Sequence, residues 1–173
     1  GAMEGYPVIE RWFREYGHDV HHILVYYTGR THAEDLVQET YLRALKSCGR
    51  FEGRSSPRTW LISIARRVAI DEQRKSKRRR LLPGRLSGEI PSSDRSPEER
   101  WIEREDLEDA YRTVMKLKRS YRDVLFLRIM ERLSAAETAE ALGWTEARVH
   151  VTLHRALRKA KILQAEREGG GGS

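Results

Sequence analysis

Two groups of side chains in this 173-residue chain have the types and spacing needed to hold a polyanion. The first lies in Pro57 to Arg80, PRTWLISIARRVAIDEQRKSKRRR, where residues 66–80 set eight Lys and Arg against only Asp71 and Glu72. Ser56 can cap a helix, and the fixed φ of Pro57 suits its first position. Leu61, Ile64, Ala65 and Val68 recur at helical spacing and define a buried face. At about 100° per residue, Ser63, Arg66, Arg67 and Arg74 fall opposite, with Trp60 and Asp71 along one edge. Such a face suits phosphates; a solvated helix tail would have the same composition.

The second group lies near the C-terminus. Ser134-Ala135-Ala136-Glu137 has the capping-box form, Leu142-Gly143 a helix stop, and Thr145 a cap for a last helix. Two helices joined by a short Gly-containing turn make the helix-turn-helix pattern, with Ala139 and Val149 where close packing is needed. In the last helix Val149, Leu153, Ala156, Leu157 and Ala160 form the inward stripe. Val151, His154, Arg155 and Arg158 face out, flanked by Arg148 and His150, as a major-groove reader would present them. A short helical hairpin with a solvated basic face is the alternative.

Other chemistry finds less support. His18 and His22 share a helical face near Asp19 and His21, but no glutamate base stands between them and no third ligand is evident, so no metal site is assigned. Glu34, Asp35 and Glu39 read as a charged contact surface rather than acid–base groups, because no His or Lys partners them. Neither GxxxxGK[ST] nor GxSxG occurs, so phosphate-loop and nucleophile-elbow enzymes are not indicated. No catalytic residue and no cofactor are expected.

The elements that position these groups are helical throughout. The fold class is all-α, two small helical domains joined by a flexible linker, the second containing the helix-turn-helix. Residues 4–80 form the first domain. Tyr6 to Tyr27 is one helix, broken or kinked near Gly17, with Val8, Ile9, Trp12, Phe13, Tyr16, Val20, Ile23, Leu24 and Tyr27 as apolar positions. Thr31-His32-Ala33-Glu34 has the form of a capping box for a helix to about Ser47, with Leu36, Val37, Thr40, Tyr41, Ala44 and Leu45 inward. Phe51 to Ser56 is a loop able to donate many hydrogen bonds, or a plain connector. The helix from Pro57 should fray within Lys75 to Arg80.

Residues 81–96, LLPGRLSGEIPSSDRS, lack helical periodicity and make the linker. Ser96-Pro97-Glu98-Glu99 opens the second domain, 97–168, with helices over roughly 97–118, 121–132, 135–142 and 146–166. Residues 98–109 carry seven acids against Arg100 and Arg104, so an acidic surface sits inside a basic chain of net charge +7. That balance favours a polyanion, nucleic acid or an anionic membrane. No apolar run approaches the roughly 18 residues of a membrane span, and no secretory signal is evident. Cys48 is the single cysteine, so no internal disulfide forms, and a cytoplasmic location is expected. Residues 1–3 resemble a protease scar and 169–173 (GGGGS) the start of an engineered linker, so both read as appended tails.

Three stretches together resemble a family: AEDLVQETYLRAL (33–45), FEGRSSPRTWLISIARRVAID (51–71) and ETAEALGWTEARVHVTLHRALRK (137–159). They are similar to the extracytoplasmic-function, group four, sigma factors of bacterial RNA polymerase, in order over nearly all of residues 8–165. The resemblance implies that Asp35, Gln38, Glu39 and Arg43 dock on the polymerase. It implies a minus-ten promoter site at Phe51, Gly53, Arg54, Ser55, Ser56, Arg58, Thr59, Trp60, Ser63, Arg66, Arg67, Asp71 and Arg74, where a flipped base and the separated strand are held. It further implies a minus-thirty-five site at Thr145, Arg148, His150, Val151, Thr152, His154, Arg155, Arg158 and Lys159. The partners implied are core RNA polymerase, promoter DNA and an anti-sigma factor. Arg67 and Asp71 stand where members often have asparagine, and His150 and Thr152 where Lys or Arg is common. A stand-alone helix-turn-helix regulator is the alternative, and would leave the DLVQE helix and the FEGRSS loop without a task.

Overall fold

A computed structural model describes residues 2–81 and 105–170, with side chains for 5–81 and 109–170. Nearly all of the expected linker, and the helix opening at Ser96-Pro97, lie outside the described residues. The chain divides into two compact units, Gly1–Ser96 and Pro97–Ser173, and among the described residues every regular element is helical.

The first unit packs three helices, α1 (Ala2–Thr28), α2 (Glu34–Ser47) and α3 (Pro57–Leu81), with a 3₁₀ turn at Cys48–Arg50. Of the break or kink expected near Gly17, the break does not occur: α1 runs through Gly17 as one helix of 27 residues. One glycine costs a helix about 1 kcal/mol. Burying each of Ile9, Val20, Ile23 and Leu24 from the same helix returns about 1.5–3 kcal/mol, so burial wins. Val8, assigned to that apolar set, is exposed.

The capping box expected at Thr31–Glu34 is not formed either. The N-cap of α2 is Ala33, without a side-chain bond, because Ala33 is drawn fully into the core and the helix starts two residues later than the box requires. Leu36, Thr40 and Ala44 are buried, and Thr40 Oγ1 donates to the Leu36 carbonyl at 2.8 Å.

Ser56 does cap α3: its Oγ accepts from the Thr59 N–H at 3.1 Å and donates to Thr59 Oγ1 at 3.0 Å. The helix then buries Leu61, Ile62, Ser63, Ile64 and Ala65 in succession, being covered by both α1 and α2. Fraying within Lys75 to Arg80 is not seen. Lys and Arg are good helix formers, and cations in a last turn face the negative end of the helix dipole, so α3 continues to Leu81.

The second unit contains α4 (Glu105–Met115), α5 (Arg119–Leu125), α6 (Ala135–Leu142) and α7 (Glu146–Gly169). A π-helical turn, Phe126–Met130, extends α5 and ends where Glu131 N–H donates to Phe126 O at 3.0 Å and Leu133 N–H to Leu127 O at 2.9 Å. Arg132 takes φ 56° there, which turns the chain and inserts Leu133 into the core.

The helix-turn-helix is built by local signals that all agree. Ser134 Oγ accepts from Glu137 N–H at 3.0 Å while Glu137 returns a bond to Ser134 N–H at 2.9 Å. Gly143, at φ 69°, closes α6, and Trp144 N–H donates back to Ala139 O at 2.8 Å, the paired carbonyl capping of a Schellman end. Thr145 Oγ1 accepts from Arg148 N–H at 3.1 Å to start α7. Val124, Ala139 and Val149 form one core, and Leu117, Leu125 and Ala156 another, with Leu153 packing on both. Leu157, assigned inward, is exposed, because eight residues past Val149 it has rotated about 80° away from that stripe.

Arg132 supplies a direct stability test. A non-glycine residue in the left-handed region costs about 1–2 kcal/mol, and glycine's extra unfolded-state freedom takes back about 0.5–1 kcal/mol of any gain. Arg132→Gly should therefore stabilise the second unit by about 0.5–1 kcal/mol. Denaturant unfolding of both forms would show a higher midpoint for the variant.

Candidate nucleic-acid interface

The loop expected to receive a base rests on an aromatic floor. Phe51 lies 5.1 Å from the Trp12 ring and 5.3 Å from Trp60, and the two indoles are 6.0 Å apart, so three half-buried rings meet, Trp12 edge to face with the other two and Phe51 tilted against Trp60. Above them Gly53 takes φ 72°, and Glu52, Gly53, Arg54 and Ser56 are exposed, with Arg54 Nε 2.9 Å from Glu52. Arg58, the next cation, is held 2.8 Å from Asp19 of α1.

The rest of the strand set divides. Thr59 is buried at 1% exposure in the Ser56 cap, and Ser63 is buried at 9%, donating to Trp60 O at 2.7 Å. Neither presents a side chain to solvent, although both were expected on the strand face. Their burial follows from α3 being covered on two sides. Arg66 is half-buried with its guanidinium 5.9 Å from the Tyr27 ring. Arg67 and Arg74 are exposed and meet no acid among the described residues, as are Lys75, Lys77, Arg78, Arg79 and Arg80.

Asp71 does not join them. Its carboxylate accepts from Arg43 Nη1 of α2 at 2.9 Å, and Arg43 Nε also reaches Glu39 at 3.0 Å. Burial lowers the basicity of Arg43, but bonds to both acids more than offset it and the guanidinium is raised overall. The docking set and the strand set are thus joined through one side chain. Asp35, at the other end of α2, takes bidentate bonds of 3.1 and 2.9 Å from Arg30, which also lies 3.6 Å from Glu72 of α3. Partial burial pushes the Asp35 carboxyl up, but Arg30 outweighs it and the net shift is down. Gln38 is exposed. So is Leu42, half open in the middle of the Asp35, Gln38, Glu39 and Lys46 face.

On α7, His150, Val151, His154, Arg155, Arg158 and Lys159 are exposed, whereas Thr152 is half-buried. Arg148 stacks over Trp144, with its guanidinium carbon 3.9 Å from the ring centroid. Among the described residues no group of three or more His, Cys, Asp or Glu could hold a metal ion, and no helix is long and apolar enough to cross a membrane.

Family comparison decides what this arrangement belongs to. A profile described as Sigma-70 region 2 matches residues 12–79, and one described as Sigma-70, region 4 matches residues 107–159. The chain is 38% identical over 159 residues to the ECF RNA polymerase sigma factor SigX of Bacillus subtilis, covering 88% of this chain and 80% of SigX. The chain belongs to the extracytoplasmic-function sigma factors of the sigma-70 family. It is also 34% identical over 166 residues to the sigma factor YlaC of the same organism, covering 92% of this chain and 94% of YlaC. The fold resembles CnrH, solved with the cytosolic domain of CnrY, at a TM-score of 0.69 and 20% identity over 95% of this chain and 92% of that one. RpoE of Bartonella quintana, solved with the anti-sigma factor NepR, gives 0.67 and 18% over 90% and 96%.

In this sigma factor, sequence reading missed the open position of Leu42, although Asp35, Gln38 and Leu42 follow i, i+3, i+7 on one face. It also placed Trp12 among core residues without a loop to support, since nothing local ties residue 12 to residue 51.

The Arg30–Asp35 pair sets a pH dependence. Asp35 has a depressed folded pKa, so its contribution to stability is present above its unfolded value of about 3.9 and is lost as pH falls through the lower folded value. Unfolding free energy measured from pH 5 downward should drop less steeply in Arg30→Gln than in the parent.

Proposed function

We propose that this RNA polymerase sigma factor docks on core polymerase through the exposed face of α2, centred on Gln38 and Leu42 and flanked by Asp35, Glu39 and Lys46. A charged face with one half-open leucine at its centre suits a protein partner, which can bury the apolar side chain and pair the charges around it. The unit then presents promoter DNA with the Gly53 to Ser56 loop, for a base leaving the stack in the minus-ten element, and with Arg67 and Arg74, for the separated strand. Lys75 to Arg80 serve as sequence-independent phosphate cations. In the second unit α7 enters the major groove of the minus-thirty-five element, with Arg155 and Arg158 reaching furthest along its outward face. The factor carries out no covalent chemistry and acts in the cytoplasm.

One observation carries this reading. The first unit uses Arg30, Arg43 and Arg58 to join its own helices, yet leaves Arg67, Arg74 and the last turns of α3 without an acid among the described residues. Cations held out of internal pairs on a fixed helix are what a phosphate chain requires. An anti-sigma partner covering α2 and α3 would silence both surfaces at once, and the similarly folded RpoE was solved with the anti-sigma factor NepR.

Run-off transcription with purified core polymerase tests the function directly: promoter-dependent transcripts support it, and their absence together with no binding to core overturns it. Duplex binding without core dependence would favour the stand-alone regulator. Within that assay Leu42→Asp should weaken core binding by about 2 kcal/mol, roughly thirtyfold, while leaving the circular dichroism spectrum unchanged. Arg155→Ala and Arg158→Ala separate two roles. If one reads a guanine edge, its loss costs about 1–3 kcal/mol at one base position; a uniform loss over all sequences marks a phosphate anchor.

A further inference from the structure

Gly5, Trp12 and Asp19 are spaced seven residues apart on α1, two helical turns and about 10.5 Å between each, so they share one stripe. Each meets a successive part of the segment that carries the promoter loop. A Cβ at Gly5 would stand 2.4 Å from Cys48 Sγ, so α1 passes against the 3₁₀ turn at the loop's start. Trp12 touches Phe51 and Trp60, on the two sides of the loop. Asp19 holds Arg58 just beyond it, at 2.8 Å.

From this rail we infer that Trp12 is a positioning residue for the promoter loop, fixing where Gly53 to Ser56 stand without touching DNA itself. The inference rests on the reading of that loop as the minus-ten site. The loop has no regular structure between Arg50 and Pro57, and it spans from a 3₁₀ turn to a helix cap. Its two ends are carried by Phe51 and by Trp60, one ring on each side. Those rings also meet each other at 5.3 Å, and the Trp12 indole packs on both, backing the pair from α1. Removing that indole leaves the Ser56 cap and the Phe51–Trp60 contact but takes away the α1 side of their support, so the pair and the loop between them can shift towards α1, and a displacement of about 1 Å at a reacting group costs up to about 100-fold. Asp19 acts in the same sense through Arg58, with a smaller effect because its pair is partly exposed.

The experiment uses the full chain with core polymerase. Trp12→Ala, Trp12→Phe, Asp19→Asn and Arg54→Ala are compared by core affinity, by permanganate reactivity of minus-ten thymines, and by the preference among bases at the flipped position. Trp12→Ala should reduce opening roughly tenfold or more and flatten the base preference while core affinity stays at the parent value. Trp12→Phe should restore most of the loss, and Asp19→Asn should show a lesser change of the same kind. Parent-like opening in Trp12→Ala overturns the inference, as does a parallel fall in core affinity, which marks a general packing role. Should Trp12→Ala not fold, Trp12→Leu replaces it, and parent-like opening and base preference in that variant overturn the inference. Arg54→Ala separates this from the underlying reading: if it leaves base preference unaltered, the loop is not the minus-ten site; if it alters it and Trp12→Ala does not, the positioning role alone is lost.

Discussion

The enclosure of α3 governs the first unit. Five successive buried residues, Leu61 to Ala65, sweep about 400° at 100° per residue, so for a full turn this helix has no solvent side. Up to Gln73 the open part is a stripe about 60° wide that carries Trp60, Arg67 and Asp71 and continues into Arg74 and Arg78, while beyond Gln73 Lys75, Lys77, Arg79 and Arg80 are exposed around it as well. Arg43 occupies Asp71 and the aromatic floor occupies much of Trp60. What is left is a row of guanidiniums rising about 16 Å from Arg67 to Arg78 at 1.5 Å per residue. Up to Gln73 a ligand can therefore lie along α3 but not around it, a geometry that suits a polyanionic chain.

The same enclosure sorts the charges. α1 and α2 flank α3 closely, so cations at their seams are taken up by acids across them: Arg30 by Asp35 and Glu72, Arg43 by Glu39 and Asp71, Arg58 by Asp19. These pairs are partly exposed, and each contributes roughly 1 kcal/mol or less. Those that cross between segments far apart in sequence, Arg30–Glu72, Arg43–Asp71 and Arg58–Asp19, act mainly on register, by setting how far one helix slides past another. Past Gln73, whose side chain bonds the Tyr27 carbonyl, α1 has nearly ended and no acid follows on α3. The cations of the last turns consequently remain available.

How much of this was legible in the sequence depended on the range of the interactions. The second unit's turn signals are local and were read correctly: Ser134 with Glu137, Gly143, and Thr145 act within a few residues, and each forms the bond its type suggests. Thr31 with Glu34 has the same pattern and fails, because a core contact by Ala33, set by the whole helix packing, displaced the cap. Gly17 was read as a break from its propensity alone, and burial elsewhere in α1 overrode it. Ser63 was placed by a two-sided view of α3; a helix covered from both sides has no such second face. The partners of Trp12, Arg43 and Arg58 lie 28 to 48 positions away, beyond any periodicity argument, and only the fold brings them together.

Arg43 raises the question of whether docking at α2 could switch the DNA stripe of α3. Its guanidinium touches Glu39 on the first and Asp71 on the second, so a partner that drew Glu39 away would alter the hold on Asp71. The size of the link limits that effect. A pair with both side chains more than a third exposed carries about 0.2–1 kcal/mol, whereas allosteric coupling generally needs 1–3 kcal/mol. Coupling also requires an element with two arrangements, and α3 between α1 and α2 is packed into one. The unit therefore works as a fixed template. On the proposed reading, polymerase and promoter would meet this unit on two faces, one on α2 and one on α3, whose separation is set by the core those helices share.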